Sequence, residues 1–97
     1  MKRYSLNKEI KEKALLLSLA GEPTRIRILC ALFDNPGICV HEISEAVGTS
    51  IALASHHLQA MKEGGLVEGE RHGQTICYCV KKNKHTKMLK QFICDCE

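Results

Sequence analysis

The chain has 97 residues and a formal net charge of +3, from 14 Lys and Arg against 11 Asp and Glu, a mildly basic balance that permits contact with nucleic acid. Hydrophobic residues make up 44% but aromatic ones only 4%, with no Trp, so the chain is not a disordered one and its core must rest on Leu, Ile, Val, Ala and Met. No run reaches the roughly 18–20 apolar residues of a membrane span, and MKRYSLNKEIKEK lacks the apolar region of an export signal, so the expectation is one cytoplasmic domain over 1–97.

In chain order, 6–20 reads as a helix, with Leu6, Ile10, Ala14 and Leu17 on one stripe between Lys and Glu. Gly21 ends it. Glu22-Pro23-Thr24 starts a second helix, because a proline in the first turn gives up an N–H that has no partner there anyway. Its apolar face is Ile26, Leu29, Cys30 and Phe33, and Asp34-Asn35-Pro36-Gly37 is a strong stop. A short helix over about 40–47 turns Val40, Ile43 and Val47 inward and closes at Gly48. Thr49-Ser50 then caps a fourth helix, 51–63, with Ile51, Ala54, Leu58 and Met61 as its buried face.

After Gly64-Gly65 the period changes from helical to alternating. Residues 66–70 and 75–80 form a β-hairpin joined by Arg71-His72-Gly73-Gln74, with Ile76, Tyr78 and Val80 on one face and Cys77 and Cys79 on the other. A last helix, 84–94, carries Met88, Leu89, Phe92 and Ile93, followed by the tail Cys94-Asp95-Cys96-Glu97. The order helix, helix, helix, helix, hairpin, helix is mostly α with a small β-hairpin (α+β). A short helix, tight turn and Ser-capped second helix make a helix-turn-helix, and the hairpin after it is the wing.

With its core face assigned, the 51–63 helix turns Ala52, Leu53, His56, Gln59, Ala60 and Glu63 outward, flanked by Ser55, His57 and Lys62. A helix of this size fits the major groove, where base edges carry a readable hydrogen-bond code. Gln59 suits adenine, and Ser55 or His56 suits a base or a phosphate. Arg71, His72 and Gln74 of the wing are placed for backbone phosphates, which set register rather than sequence choice. The candidate DNA-contacting set is Ser50, Ala52, Ser55, His56, His57, Gln59, Lys62, Arg71 and Gln74. The plainer alternative for His56 and His57 is a solvated polar face or a contact with the core.

Four segments resemble the ArsR/SmtB family of metal-responsive repressors: Leu19-Ala20-Gly21-Glu22-Pro23-Thr24-Arg25-Ile26-Arg27-Ile28-Leu29, Ile38-Cys39-Val40-His41-Glu42-Ile43, Ser55-His56-His57-Leu58, and Gly64-Gly65-Leu66-Val67 with Arg71 and Gly73. They occur in the family's order and spacing over about 14–80. The run 51–57 looks like the cadmium- and lead-sensing branch. The resemblance implies a homodimer with the first and last helices at the interface. It also implies binding to an imperfect double-stranded operator palindrome, and release when an inducer binds.

Six cysteines in a chain expected in a reducing compartment point to metal or redox use. About two of them serve as small core residues on general grounds. Two sensor arrangements follow. In the first, Cys39 and His41 stand where the related metal sensors carry Cys-Val-Cys, and thiolate with imidazole suits Zn, Cd or Pb. Two ligands do not close a tetrahedral site, and Cys94 and Cys96 are the candidates to complete it. In the second, Cys30 resembles in position the reactive cysteine of the reactive-sulfur-sensing branch, with Cys94 as the counterpart of its partner. Cys77 and Cys79 read as structural strand residues.

No phosphate-cradling Gly loop and no nucleophile–base–orienter set is present in the sequence, so no enzyme is expected. The expected function is a DNA-binding repressor released by a thiophilic metal ion. The alternatives are a thiol- or reactive-sulfur-responsive repressor and a zinc-stabilised winged-helix protein-interaction module.

Overall fold

In the computed structural model, which describes residues 1–94, the first helix, α1 (Lys8–Ala20), starts at Asn7, whose side-chain oxygen accepts the Ile10 N–H at 2.9 Å. The helix faces the core with Leu16, Leu19 and Ala20. The stripe expected to face inward is the outer one, since Leu6, Ile10 and Leu17 are exposed. Both stripes have helical spacing, and periodicity alone does not say which of two neighbouring stripes meets the core. Gly64, at the far end of the fourth helix, makes room for α1: a Cβ there would collide with the Leu19 side chain.

Glu22 caps α2 (Pro23–Asp34), its carboxylate accepting the Thr24 and Arg25 N–H groups at 3.0 and 3.1 Å. Ile28, Leu29 and Leu32 are buried, while Ile26, Cys30 and Phe33 flank them half-buried. The inward face is thus rotated from the expected one and shares Leu29 with it. A two-residue strand, β1 (Ile38–Cys39), follows and leads directly into α3 (Val40–Val47). Sequence reading did not anticipate β1, because two residues carry no period.

Gly48, at φ +70°, ends α3 in the left-handed conformation that closes the tight turn. Ser50 Oγ then accepts the Leu53 N–H at 3.1 Å to start α4 (Ile51–Glu63). Ala54, Leu58 and Met61 are fully buried, whereas Ile51, expected inward, is 52% exposed at the helix's first turn. The hairpin comprises β2 (Val67–His72) and β3 (Thr75–Val80), with His72 opposite Thr75 and a turn at Gly73-Gln74. Pairing therefore runs through Arg71 and His72, which were expected in the loop. β1 adds to β3, giving the antiparallel order β1-β3-β2, with Ile38 opposite Tyr78 and Cys39 opposite Cys77.

Asn83 caps α5 (Lys84–Ile93) through the His85 and Thr86 N–H groups, both at 3.0 Å. Leu89 and Ile93 join the core, but Met88 and Phe92, expected in the same stripe, are 65% and 81% exposed. The core lies between α2, α3, α4 and the sheet, with α5 laid against α2. Among the described residues, no helix is long and apolar enough to cross a membrane.

Candidate nucleic-acid interface and thiol pairs

Three side chains anchor α4 from below: Ala54, Leu58 and Met61 have no exposed surface. The opposite side presents Ala52, Leu53, His56, Gln59 and Lys62 to solvent, with Ser55 half-buried at its edge and Ser50 exposed at its start. Arg27 reinforces the unit by donating to Val47 O at 2.8 Å, which ties α2 to the end of α3. An exposed polar helix held by a rigid apolar underside is what groove insertion requires, since the contacting atoms cost little further ordering.

His57 does not belong to that exposed face. Its Nδ1 accepts a hydrogen bond from Arg25 Nε at 3.0 Å, its Nε2 lies 3.8 Å from Glu22 Oε2, and only 12% of the side chain is exposed. Arg25 also donates to Leu19 O at 3.2 Å. His57 therefore pins α4 to the α1–α2 junction, which leaves little of its side chain to face DNA. The reason is geometric: neighbouring residues on a helix point about 100° apart, so His56 and His57 do not share a face. The Thr24 amide, aided by the Arg25 amide and nearby His57, holds the Glu22 carboxyl below its ordinary range despite partial desolvation.

At the wing, Arg71 and Gln74 are exposed near the hairpin tip. His72 Nε2 lies 3.8 Å from Glu70 Oε1, with both side chains mostly in solvent, so that pair contributes little to stability.

Four of the described cysteines lie in two pairs: Cys39 with Cys77, which the sequence did not show, and Cys30 with Cys94, which it offered as one of two sensor arrangements. Cys39 and Cys77 are joined by a disulfide. Cys39 is the residue from which α3 starts, its own N–H donating to Glu42 Oε1 at 3.1 Å. Cys77, read from the sequence as a structural strand residue, is buried, directly opposite Cys39 of β1. The second pair is Cys30 and Cys94. Cys94 ends α5 beside Cys30, whose Sγ lies 3.8 Å from the carbonyl oxygen of Ile93, the residue before it. Cys79 is free and half-buried.

The expected metal set is not assembled. His41 is exposed beside Cys39, but among the described residues no group of three or more His, Cys, Asp or Glu is placed to hold a metal ion. Register sets Cys39 against Cys77, and the docking of α5 on α2 carries Cys94 to Cys30 instead. Cys96 lies outside the described residues. The Cys39–Cys77 pairing was hidden in the sequence because it depends on β1.

Burial, followed by the charge and hydrogen bond of Cys30, pushes the Cys94 thiol above its ordinary range; Asp34 adds to this and Lys90 opposes it. A raised value keeps the proton on, and only the thiolate reacts. Alkylation of Cys94 by iodoacetamide is therefore expected to follow a pH profile displaced upward from that of the urea-unfolded chain. In Cys30→Ala the displacement should shrink. Coincident profiles for folded and unfolded chain, read by mass spectrometry, would contradict the burial of Cys94, and an undiminished displacement in Cys30→Ala would contradict the pairing.

A further apolar surface lies between α1 and α5. Leu16, Leu17, Met88, Leu89 and Phe92 line a groove of about 520 Å³. Exposed apolar patches of this kind mark association surfaces.

Comparison with known proteins gives a consistent result. The family model for bacterial regulatory proteins of the arsR family matches residues 22–69. The HTH-type transcriptional regulator YgaV of Escherichia coli K12 is 33% identical over 92 residues, covering 92% of this chain and 93% of the relative. The cadmium resistance transcriptional regulatory protein CadC of Listeria innocua is 28% identical over 72 residues, 74% of this chain and 60% of that one. Among solved structures, reduced HlyU from Vibrio cholerae superposes with a TM-score of 0.83 at 27% identity, covering 93% of this chain and 95% of that one.

Proposed function

Because the chain belongs to the arsR family of bacterial regulatory proteins, and is a DNA-binding transcriptional regulator rather than an enzyme, we propose that it is a homodimeric repressor whose hold on operator DNA is released by oxidation of Cys30 and Cys94. The observation that carries this reading is the placement of Cys30 of α2 against the end of α5, its Sγ 3.8 Å from the Ile93 carbonyl oxygen, with Cys94 the next residue and both cysteines packed on the same core.

Oxidation closes one sulfur–sulfur bond. The two thiols lose two protons and two electrons to an oxidant of the hydroperoxide, disulfide or polysulfide class, which leaves as its reduced product. The new bond fixes the end of α5 to α2. α5 carries half of the apolar groove and α2 is tied to α3 by Arg27, so a shift at the dimer seam reaches the recognition helices. Two copies of α4 must sit about one turn of DNA apart to fill both half-sites. A small change in their separation therefore weakens binding.

The test begins with operator-like duplexes selected from a random library by the reduced protein. Oxidation with a polysulfide is expected to lower affinity for them by at least roughly tenfold, a typical size for coupling between sites. Cys30→Ser and Cys94→Ser should each hold DNA and stop responding. Unchanged release in both variants would remove this pair as the sensor.

The likeness to the cadmium resistance regulator favours a second reading, release by Zn, Cd or Pb through Cys39 and His41. It requires Cys39 as a free thiolate. Titration of reduced protein with each ion, read by thiolate charge-transfer absorption and by DNA release, separates the two: only the metal reading loses its response in Cys39→Ser.

A further inference from the structure

We propose that Cys39 and Cys77 form a second redox centre, independent of the Cys30–Cys94 reading: a reversible cross-strand disulfide that fastens the wing to the entrance of the helix-turn-helix. The first argument is register. β1 is two residues long and pairs with β3 at only two positions, Ile38–Tyr78 and Cys39–Cys77. Beyond them the junction has the Gly37 N–H donating to Tyr78 O at 2.9 Å. Few backbone bonds hold this edge, so a covalent link changes its opening equilibrium substantially.

The second argument is what the link encloses. The two cysteines are separated by 38 positions in sequence. Between them lie α3, the turn, α4, β2 and the hairpin tip. Every candidate DNA-contacting residue, from Ser50 to Gln74, is inside this loop, and Cys30, Cys79 and Cys94 are outside it. The disulfide thus staples the DNA-reading head as a unit, at the point where Cys39 passes directly into α3.

The third argument is access. Cys39 is half-buried and Cys77 buried, so an incoming disulfide meets Cys39 first. Its thiolate attacks one sulfur of oxidised glutathione and releases one glutathione thiol. Cys77 then attacks the mixed disulfide at the Cys39 sulfur and releases the second. Two protein thiols and one oxidised glutathione become one protein disulfide and two reduced glutathiones. Excess reduced glutathione runs the same steps backward.

The staple constrains the unfolded chain over a long loop, so the oxidised form should melt roughly 10 °C or more above the reduced form. The experiment uses the full chain carrying Cys30→Ser and Cys94→Ser, which removes the pair invoked for DNA release. This protein is equilibrated with graded ratios of oxidised to reduced glutathione, blocked with an alkylating agent and digested with trypsin. The expected product is peptide 28–62 joined to peptide 72–81, with fragmentation placing the bond at Cys77 rather than Cys79, and a melting temperature that falls when the same sample is reduced. Absence of the joined peptide under fully oxidising conditions overturns the proposal. So does a link through Cys79, or equal melting of the two forms. Because both forms share one sequence, a misfolding substitution does not confuse the comparison. Failure here leaves the Cys30–Cys94 reading untouched, since that is judged by DNA release.

Discussion

Replacing Leu58 with Ala is expected to lower the unfolding free energy by about 2–5 kcal/mol. Leu58 has no exposed surface and stands midway along α4, between Ala54 and Met61 on the buried side. The substitution loses the transfer energy of the removed carbons and leaves a cavity, because a helix fixed at both ends collapses only in part. α4 is so fixed: Ser50 caps its start, His57 is bonded to Arg25, and Gly64 lies against Leu19. In a domain of this size each kcal/mol moves the melting point by roughly 4–8 °C, so a fall of more than about 10 °C is expected by calorimetry. Gln59→Ala, one residue along on the exposed face, should stay within about 0.5 kcal/mol. It should alter DNA preference instead. If the two substitutions cost the same stability, the assignment of the faces of α4 is wrong, and with it the proposed groove contact.

The second large effect is expected from Phe92→Glu. Phe92 is 81% exposed, beside Met88 at 65% and across the groove from Leu17 at 64%. A single chain gains nothing from leaving three large apolar side chains in water, whereas a symmetric partner covering them does. A carboxylate at this position would have to give up its hydration in such an interface, and would take away the apolar area that Phe92 offers a partner. The variant should sediment as a monomer at micromolar concentrations while its far-ultraviolet circular dichroism is unchanged, since Phe92 takes no part in the core of one chain. Each monomer then engages one half-site alone. Affinity for a two-half-site duplex should fall on the order of 100-fold or more, the usual scale of lost bivalency. A variant that remains dimeric, or a monomer that binds the full site unchanged, would rule out α1 and α5 as the seam.

Both effects bear on how much could be read from the chain. The helix over 51–63 was legible in its bounds because Ser50 and Gly64 mark its ends. α3 was legible because Gly48 closes it in a conformation other residues avoid. What failed were the faces of the peripheral helices. In α1 and α5 apolar residues cover more of the circumference than one core contact needs, and the excess, including Leu17 and Phe92, is left outside. A sequence with two apolar stripes on one helix does not say which belongs to its own core and which to a partner.

The local chemistry of caps, glycine turns and hydrophobic period was enough to determine the element order, the helix-turn-helix and the outward Gln59 and His56. These depend on interactions within a few residues, which the sequence displays directly. Only the tertiary structure decided that His57 turns back to Arg25 and that Cys39 meets Cys77, and it set Cys94 beside Cys30 rather than Cys39, where the sequence had left both arrangements open. Each of those pairs joins positions more than thirty residues apart. Which side chains meet across such distances is set by strand register and by how one helix rolls against another, and neither leaves a periodic trace in the chain.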